Sequence, residues 1–180
     1  MSAKVAEFHN NSLMNFGHFL MVLGVPAVIV VVFKFMSMLK VRGAWLGFIG
    51  GAMALYGALF LAVQKTALCL VMSAFDTLPE AMYVQLMPGI EALFNLKGYL
   101  VIVYLLSLLP LGVLIQSIGL YRARAIPRWH SIAIIIAMLG LGVAAAVDID
   151  LFGLIATVIL AISWFSLGIQ VIRNKISDDI

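Results

Sequence analysis

The chain has 180 residues, of which 64% are hydrophobic and 11% charged, and its formal net charge is +3. Soluble domains carry roughly 45–50% apolar and about 25% charged residues, so this composition excludes an ordinary water-soluble fold and predicts a membrane protein. The basic residues cluster beside apolar runs and form no continuous stripe, which argues against nucleic-acid binding.

Five apolar stretches are long enough to cross a lipid bilayer. A helix needs about 20 apolar residues for this, because it rises about 1.5 Å per residue and the hydrocarbon core is roughly 30 Å thick. We therefore predict an all-α membrane protein, a bundle of five transmembrane helices that forms one integral membrane domain over residues 1–180. The predicted spans are residues 14–36, 44–64, 98–121, 129–147 and 151–172. The polar N-terminus lacks the basic region of a signal peptide, so the first stretch is expected to remain as a span.

The basic residues predict the orientation of these spans. Cytoplasmic loops carry an excess of Lys and Arg, and alternation of five spans places eight of the 11 basic residues on one side. These eight are Lys34, Lys40, Arg42, Arg122, Arg124, Arg128, Arg173 and Lys175. The N-terminus is therefore expected outside the cell and the C-terminus inside.

The long outer connection, residues 66–96, predicts a short amphipathic helix that lies on the outer membrane face or caps the bundle. Asp76 or Thr77 is the N-cap candidate, Pro79 suits the first turn, and Pro88 is expected to break or kink the helix. The expected buried face has apolar residues at helical spacing, namely Leu78, Met82, Leu86 and Ile90, with Met87 beside them. The start of this connection, "TALCLVMSAF", either extends the second span or lies on the surface.

Two stripes of small residues predict helix–helix interfaces, because small side chains let helices approach closely in lipid. Each stripe follows a 4-3-4 spacing that places its members on one face of a helix. The second span carries Gly47, Gly51, Ala54 and Ala58, and the fourth carries Ala133, Ala137, Gly140 and Ala144. The expected interfaces lie within the bundle or between protomers.

Few ionisable residues are placed to carry chemistry. No predicted span contains a deeply buried carboxylate, which argues against a proton-coupled pump. Lys65 follows the second span at the outer boundary, where it either extends to the interface or pairs with an acidic residue of the outer connection. The candidate outer polar site consists of Lys65, Asp76, Glu80 and Glu91.

Cofactor and metal sites are not expected. A haem held by two histidines needs both at one depth on separate elements, whereas His9 and His18 both precede or begin the first span and His130 lies on the inner side. A cation site from Asp148, Asp150 and His18 is the alternative, although "VDIDL" is better explained as a tight polar turn.

Two segments, "LCLVMSAFDTLPEAM" and "LSLLPLGVLIQSIGLYRARAIPRW", carry a resemblance to a known family. Its main features are the Leu-Leu-Pro-Leu-Gly run at 108–112 and the basic turn that ends in Pro127, Arg128 and Trp129. Over roughly residues 45–172 the chain resembles small bacterial multi-span membrane proteins with a domain of unknown function. The resemblance implies the bacterial inner membrane and implies no activity.

Three functions are compatible with these features. The leading hypothesis is a non-catalytic accessory or oligomeric subunit that acts through helix packing with a second copy or another membrane protein. The first alternative is a small transporter or channel, since Pro26 and Pro110 should bend their spans. Its polar cavity would be lined by Ser107, Gln116, Thr157 and Ser163. The second alternative is a membrane enzyme or lipid-binding protein with an outer-face site, although the common catalytic motifs are absent, which lowers the expectation of catalysis.

Overall fold

A computed structural model describes residues 11–94, 98–147 and 150–173, and every secondary-structure element within these ranges is helical. The elements are α1 (Ser12–Met38), α2 (Ala44–Phe75), α3 (Glu80–Phe94), a 3₁₀ helix (Gly98–Ser107), α4 (Leu108–Ala123), α5 (Arg128–Val147) and α6 (Asp150–Ile172). The predicted all-α class is confirmed.

Four segments of this structure are long and apolar enough to cross a membrane. They are Asn15–Met38, Ala44–Phe75, Tyr104–Ala123 and Leu151–Ile172, which correspond to the first, second, third and fifth predicted spans. The predicted fourth span forms α5, whose apolar part Arg128–Ala144 is shorter. The structure therefore supports an integral membrane protein with at least these four candidate spans.

The second predicted span continues far beyond residue 64. Because no Gly or Pro interrupts residues 66–75, α2 runs without a break for 32 residues, or about 48 Å. The segment "TALCLVMSAF" was predicted either to extend the second span or to lie on the surface. In the structure it extends the helix of the second span to Phe75.

The chain forms two compact units. The first comprises Met1–Val28 with Ala58–Leu106, and the second comprises Ile29–Gly57 with Ser107–Ile180.

In the first unit, α3 begins directly after Pro79. The carbonyl oxygen of Pro79 accepts hydrogen bonds from the N–H groups of Met82 and Tyr83, at 2.9 and 3.1 Å. Thr77, one of the two N-cap candidates, donates its hydroxyl to the Ala74 carbonyl at the end of α2, at 2.7 Å, and α3 begins three residues later at Glu80. The predicted break at Pro88 is wrong. The helix continues to Phe94 with Pro88 on its exposed side.

The buried face of α3 agrees with the prediction at Ile90 and Met87 and differs from it at Met82 and Leu86. Tyr83 and Ile90, each 1% exposed, pack with Met72 of α2 in a small core. Leu68, Phe75 and Met87 complete this core. Met82 and Leu86 of the predicted face are 50% and 40% exposed. Two apolar stripes adjoin on this helix, and the packing selects the one that contains the large Tyr83 ring.

In the second unit, α2 and α4 touch through their backbones. A Cβ atom added to Gly112 would lie against the backbone of Gly50 and Ala54, and one added to Gly57 would lie against the backbone of Leu109. Only glycine permits this approach, because the atoms that a side chain would meet belong to the partner helix's backbone. The predicted stripe on α2 is buried at all four positions, but the closest contacts use its neighbours Gly50 and Gly57.

Gln116 of α4 connects three helices of the second unit. Its side chain is fully buried, and Nε2 donates to the carbonyl oxygens of Val32 in α1 and Gly47 in α2, both at 3.3 Å. The amide nitrogen would lie 3.0 Å from a Cβ atom on Gly51. A larger residue at Gly51 would therefore displace the amide.

The turn between α1 and α2 is closed by Leu39. This side chain is fully buried and lies against three glycines, Gly43, Gly47 and Gly119. Gly43 has a φ of +84°, a conformation that side chains with a Cβ atom rarely adopt. Glycine at this position thus serves both the turn and the packing of Leu39.

The predicted stripe on α5 faces α6. A Cβ atom on Gly140 would lie 3.1 Å from the Cβ of Ala156, and one on Gly153 would lie 3.6 Å from the Cβ of Ala144. Ala137, in the same stripe, is fully buried. These small residues are therefore used for packing within the chain.

Replacing Gly112 should destabilise the protein far more than replacing Gly142. Both are helical glycines of the second unit, but nothing lies within 4 Å of a Cβ atom on Gly142. We expect Gly112→Leu to lower the free energy of unfolding by about 1–3 kcal/mol or more through overpacking, with Gly142→Leu close to wild type. Unfolding by sodium dodecyl sulfate, followed by circular dichroism, measures both, and equal losses would contradict the backbone contact.

Candidate functional site

Two residues of the predicted outer polar site, Lys65 and Asp76, lie far apart. Lys65 is on α2 and Asp76 directly follows the end of that helix, so the 11 positions between them correspond to about 16 Å along the axis. Lys65 contacts His18 of α1 instead of a carboxylate. Asp76 is therefore too far along the chain's helix to pair with Lys65.

The contact between Lys65 and His18 is the most informative polar interaction in the first unit. The Lys65 Nζ atom lies 3.2 Å from Nε2 of His18. His18 is 5% exposed, and Lys65 is half-buried. A lysine ammonium group only donates hydrogen bonds, so the imidazole nitrogen must offer its lone pair. With Lys65 protonated, Nζ donates this hydrogen bond to a neutral imidazole ring.

A second polar contact lies next to the first on the same two helices. The Cys69 thiol is within 3.8 Å of the backbone carbonyl oxygen of Asn15. Asn15 and His18 are three residues apart on α1, and Lys65 and Cys69 are four apart on α2, so each pair lies on one helix face. We call Asn15, His18, Lys65 and Cys69 the Lys65–His18 cluster.

His18 was missed as a partner of Lys65 because the sequence draws attention to it only as a candidate metal or haem ligand. A signal was nevertheless present. In both contacts the two residues lie at nearly equal sequence distances from the turn at residues 39–43. Two helices joined by a short turn run antiparallel and pair in this order, so His18 opposite Lys65 follows from the hairpin alone.

The acidic residues of the outer connection surround a different group. Burial of the Tyr83 hydroxyl raises its pKa, and the nearby negative charges of Asp76 and Glu80 raise that pKa further. Glu91, on the last turns of α3, is half-buried. Asp76 and Glu80 therefore act on Tyr83 of α3, whereas Lys65 belongs to the contact between α1 and α2.

His130 takes part in a separate polar contact in the second unit. It is fully buried on α5, with Nε2 at 3.3 Å from the Ser166 hydroxyl and its backbone carbonyl at 3.4 Å from the Ser163 hydroxyl, both on α6. The sequence placed His130 on the inner side but did not predict its burial. Its contacts hold two neighbouring helices together.

The side chains proposed to line a transport cavity are exposed or form hydrogen bonds with helix backbones. Gln116 donates to carbonyl groups of α1 and α2, and Ser163 donates to α5. Thr157 is exposed and donates to the Gly153 carbonyl of its own helix, and Ser107 is exposed. Three of these four side chains thus donate to helix backbones, and they supply no argument for a pore.

The candidate metal and haem ligands form no group of three within the described part of the chain. His9 and Asp148 lie outside the described residues. Within residues 11–94, 98–147 and 150–173, no three His, Cys, Asp or Glu side chains come together as metal ligands.

Comparisons with protein-family models, curated proteins and solved structures give no match for this chain. The function must therefore be argued from the geometry of the site.

The raised pKa of Tyr83 predicts a loss of stability at alkaline pH. The folded chain holds the phenol proton more tightly than the unfolded chain, whose tyrosine titrates near 10.0. Stability that depends on the protonated form is therefore lost as the pH rises above that value. Between about pH 9 and about pH 11, we expect the thermal midpoint of wild type to fall more than that of Tyr83→Phe. Tyr56→Phe, at an exposed tyrosine, should fall as wild type does, and identical slopes for all three would contradict this prediction.

Proposed function

We propose that this chain is an integral membrane protein that binds the anionic headgroup of a lipid-like molecule at the Lys65–His18 cluster. The observation that carries the proposal is the 3.2 Å contact between Lys65 Nζ and the buried imidazole of His18. A lysine that only reached for the membrane surface would extend its stem and keep its charge in water. Lys65 instead lies half-buried against α1, with its charge held in place.

The charge of the cluster favours an anion. No Asp or Glu occurs between Glu7 and Asp76, so α1 and α2 contribute no carboxylate to Lys65. Neutral imidazole accepts a hydrogen bond without supplying negative charge. A phosphate or carboxylate group would supply that charge through charge-assisted hydrogen bonds.

The position of Lys65 along α2 supports a site at the membrane boundary. Ala44 and Lys65 are separated by 21 residues of helix, about 32 Å, which matches the roughly 30 Å hydrocarbon core. With the basic turn that contains Lys40 and Arg42 on the cytoplasmic side, Lys65 reaches the opposite boundary. The proposed topology has five spans, with α5 as the fourth, the N-terminus outside and the C-terminus inside. The family resemblance favours the bacterial inner membrane.

An accessory or oligomeric role has weaker support. Its motivation was the two stripes of small residues, and these residues contact α1, α4 and α6 of the same chain. Packing with a second protein would need a different surface.

The test is binding of dodecyl phosphate, a minimal anionic amphiphile, to the protein in neutral detergent micelles. The chain has three histidines, and a His18→Gln spectrum assigns the His18 ring signals by nuclear magnetic resonance. We expect the ligand to shift these signals in wild type. Lys65→Met should weaken binding roughly 10- to 100-fold, because one charge-assisted hydrogen bond and a full charge are lost.

Arg173→Met is the matched control, because Arg173 is an exposed cation outside the cluster. It should bind as wild type does. Equal affinities for wild type and Lys65→Met, or an equal loss in the control, would contradict the proposed site.

A further inference from the structure

A groove lies at the turn between α1 and α2, within the second unit. Its volume is about 480 Å³, which falls in the range of small-molecule sites. The walls include the large apolar side chains Phe33, Met36 and Phe48, and Ala44 and Lys40 also line it. We call this feature the turn groove.

Its aromatic walls are open to the surroundings of the protein. Phe33 is 54% exposed and Phe48 is 61% exposed. A small soluble anion would gain nothing from these two rings. An alkyl chain in contact with these rings would bury apolar surface of both the chain and the rings, which is favourable.

The turn beside the groove is cationic. Lys40 lines the groove, and Arg42 follows two residues later; both are exposed. The stretch from Glu7 to Asp76 has no acidic residue between its ends, so neither helix that forms the groove carries a carboxylate to neutralise these cations. A basic rim next to an apolar wall is complementary to a molecule with an anionic head and an apolar tail.

We infer that the turn groove binds an anionic phospholipid, with one acyl chain against Phe33 and Phe48 and the phosphate at Lys40 and Arg42. This site shares no residue with the Lys65–His18 cluster and does not depend on it. An annular lipid would cover any apolar surface without regard to charge. The proposed lipid differs because it is retained through both its headgroup and its chain.

The experiment compares retention of phosphatidylglycerol and phosphatidylcholine by native mass spectrometry of the protein released from nanodiscs that contain equal amounts of both. Wild type should retain phosphatidylglycerol preferentially. Lys40→Gln combined with Arg42→Gln should reduce this preference about 25-fold, the effect expected from two cations near a phosphate.

A second variant tests the groove while keeping the charge. Ala44→Trp fills the space between the walls, and Val41→Trp, at a 76% exposed position of the same turn, is its control. We expect Ala44→Trp to lose phosphatidylglycerol and Val41→Trp to keep it. Circular dichroism of each variant verifies that the helices are intact.

Two results would overturn the inference. If the charge variant retains phosphatidylglycerol as wild type does, the cations hold no phosphate. If the charge variant loses the lipid but Ala44→Trp and Val41→Trp both keep it, binding is surface attraction without use of the groove. Lys65→Met should retain the lipid at the turn groove, so a failure of either site is distinguishable from a failure of the other.

Discussion

The direct contact between the backbones of α2 and α4 is the constraint on which the second unit depends. Gly50, Gly57 and Gly112 leave no side chain between the two helices. In lipid, apolar surfaces gain little from meeting one another, so close van der Waals contact has to supply the association energy. This approach also brings the Gln116 amide within 3.3 Å of the Gly47 carbonyl. Packing and hydrogen bonding therefore reinforce each other at one crossing.

The functional proposals rest on a different property of the chain, which is the separation of its charges. The hairpin of α1 and α2 carries only cations, because Glu7 and Asp76 bound a stretch without acidic residues. Lys65 lies against the imidazole of His18, and Lys40 lines an apolar groove. In each place the hairpin of α1 and α2 supplies positive charge beside apolar surface, and neither helix contains a carboxylate to neutralise it. That combination suits lipid-like anions better than soluble ones.

Much of the fold follows from local signals in the sequence. The absence of Gly and Pro in residues 66–75 permits the long α2, and Pro79 marks the start of α3. Local periodicity could not predict the whole buried face of α3, because this helix has two adjacent apolar stripes. Contact with Met72 of α2 determines that the stripe with Tyr83 is the buried one. Likewise, the 4-3-4 pattern on α2 includes Gly47 and Gly51 but not Gly50. The contact of Gly50 with the backbone of α4 depends on where the two helices cross. The partnership of His18 with Lys65 needed the geometry of the whole hairpin.

The pairing of α1 with α2 in the first unit is the central claim, because the proposed site exists only if these helices meet at Asn15 and His18. The native Cys69 offers a direct test, since its sulfur lies 3.8 Å from the Asn15 carbonyl. An Asn15→Cys variant should form an intramolecular disulfide with Cys69 under mild oxidation, detected by loss of both free thiols in labelling mass spectrometry. Phe16→Cys, on the exposed side of α1, should not. Two free thiols in Asn15→Cys, or equal cross-linking in both variants, would contradict the account.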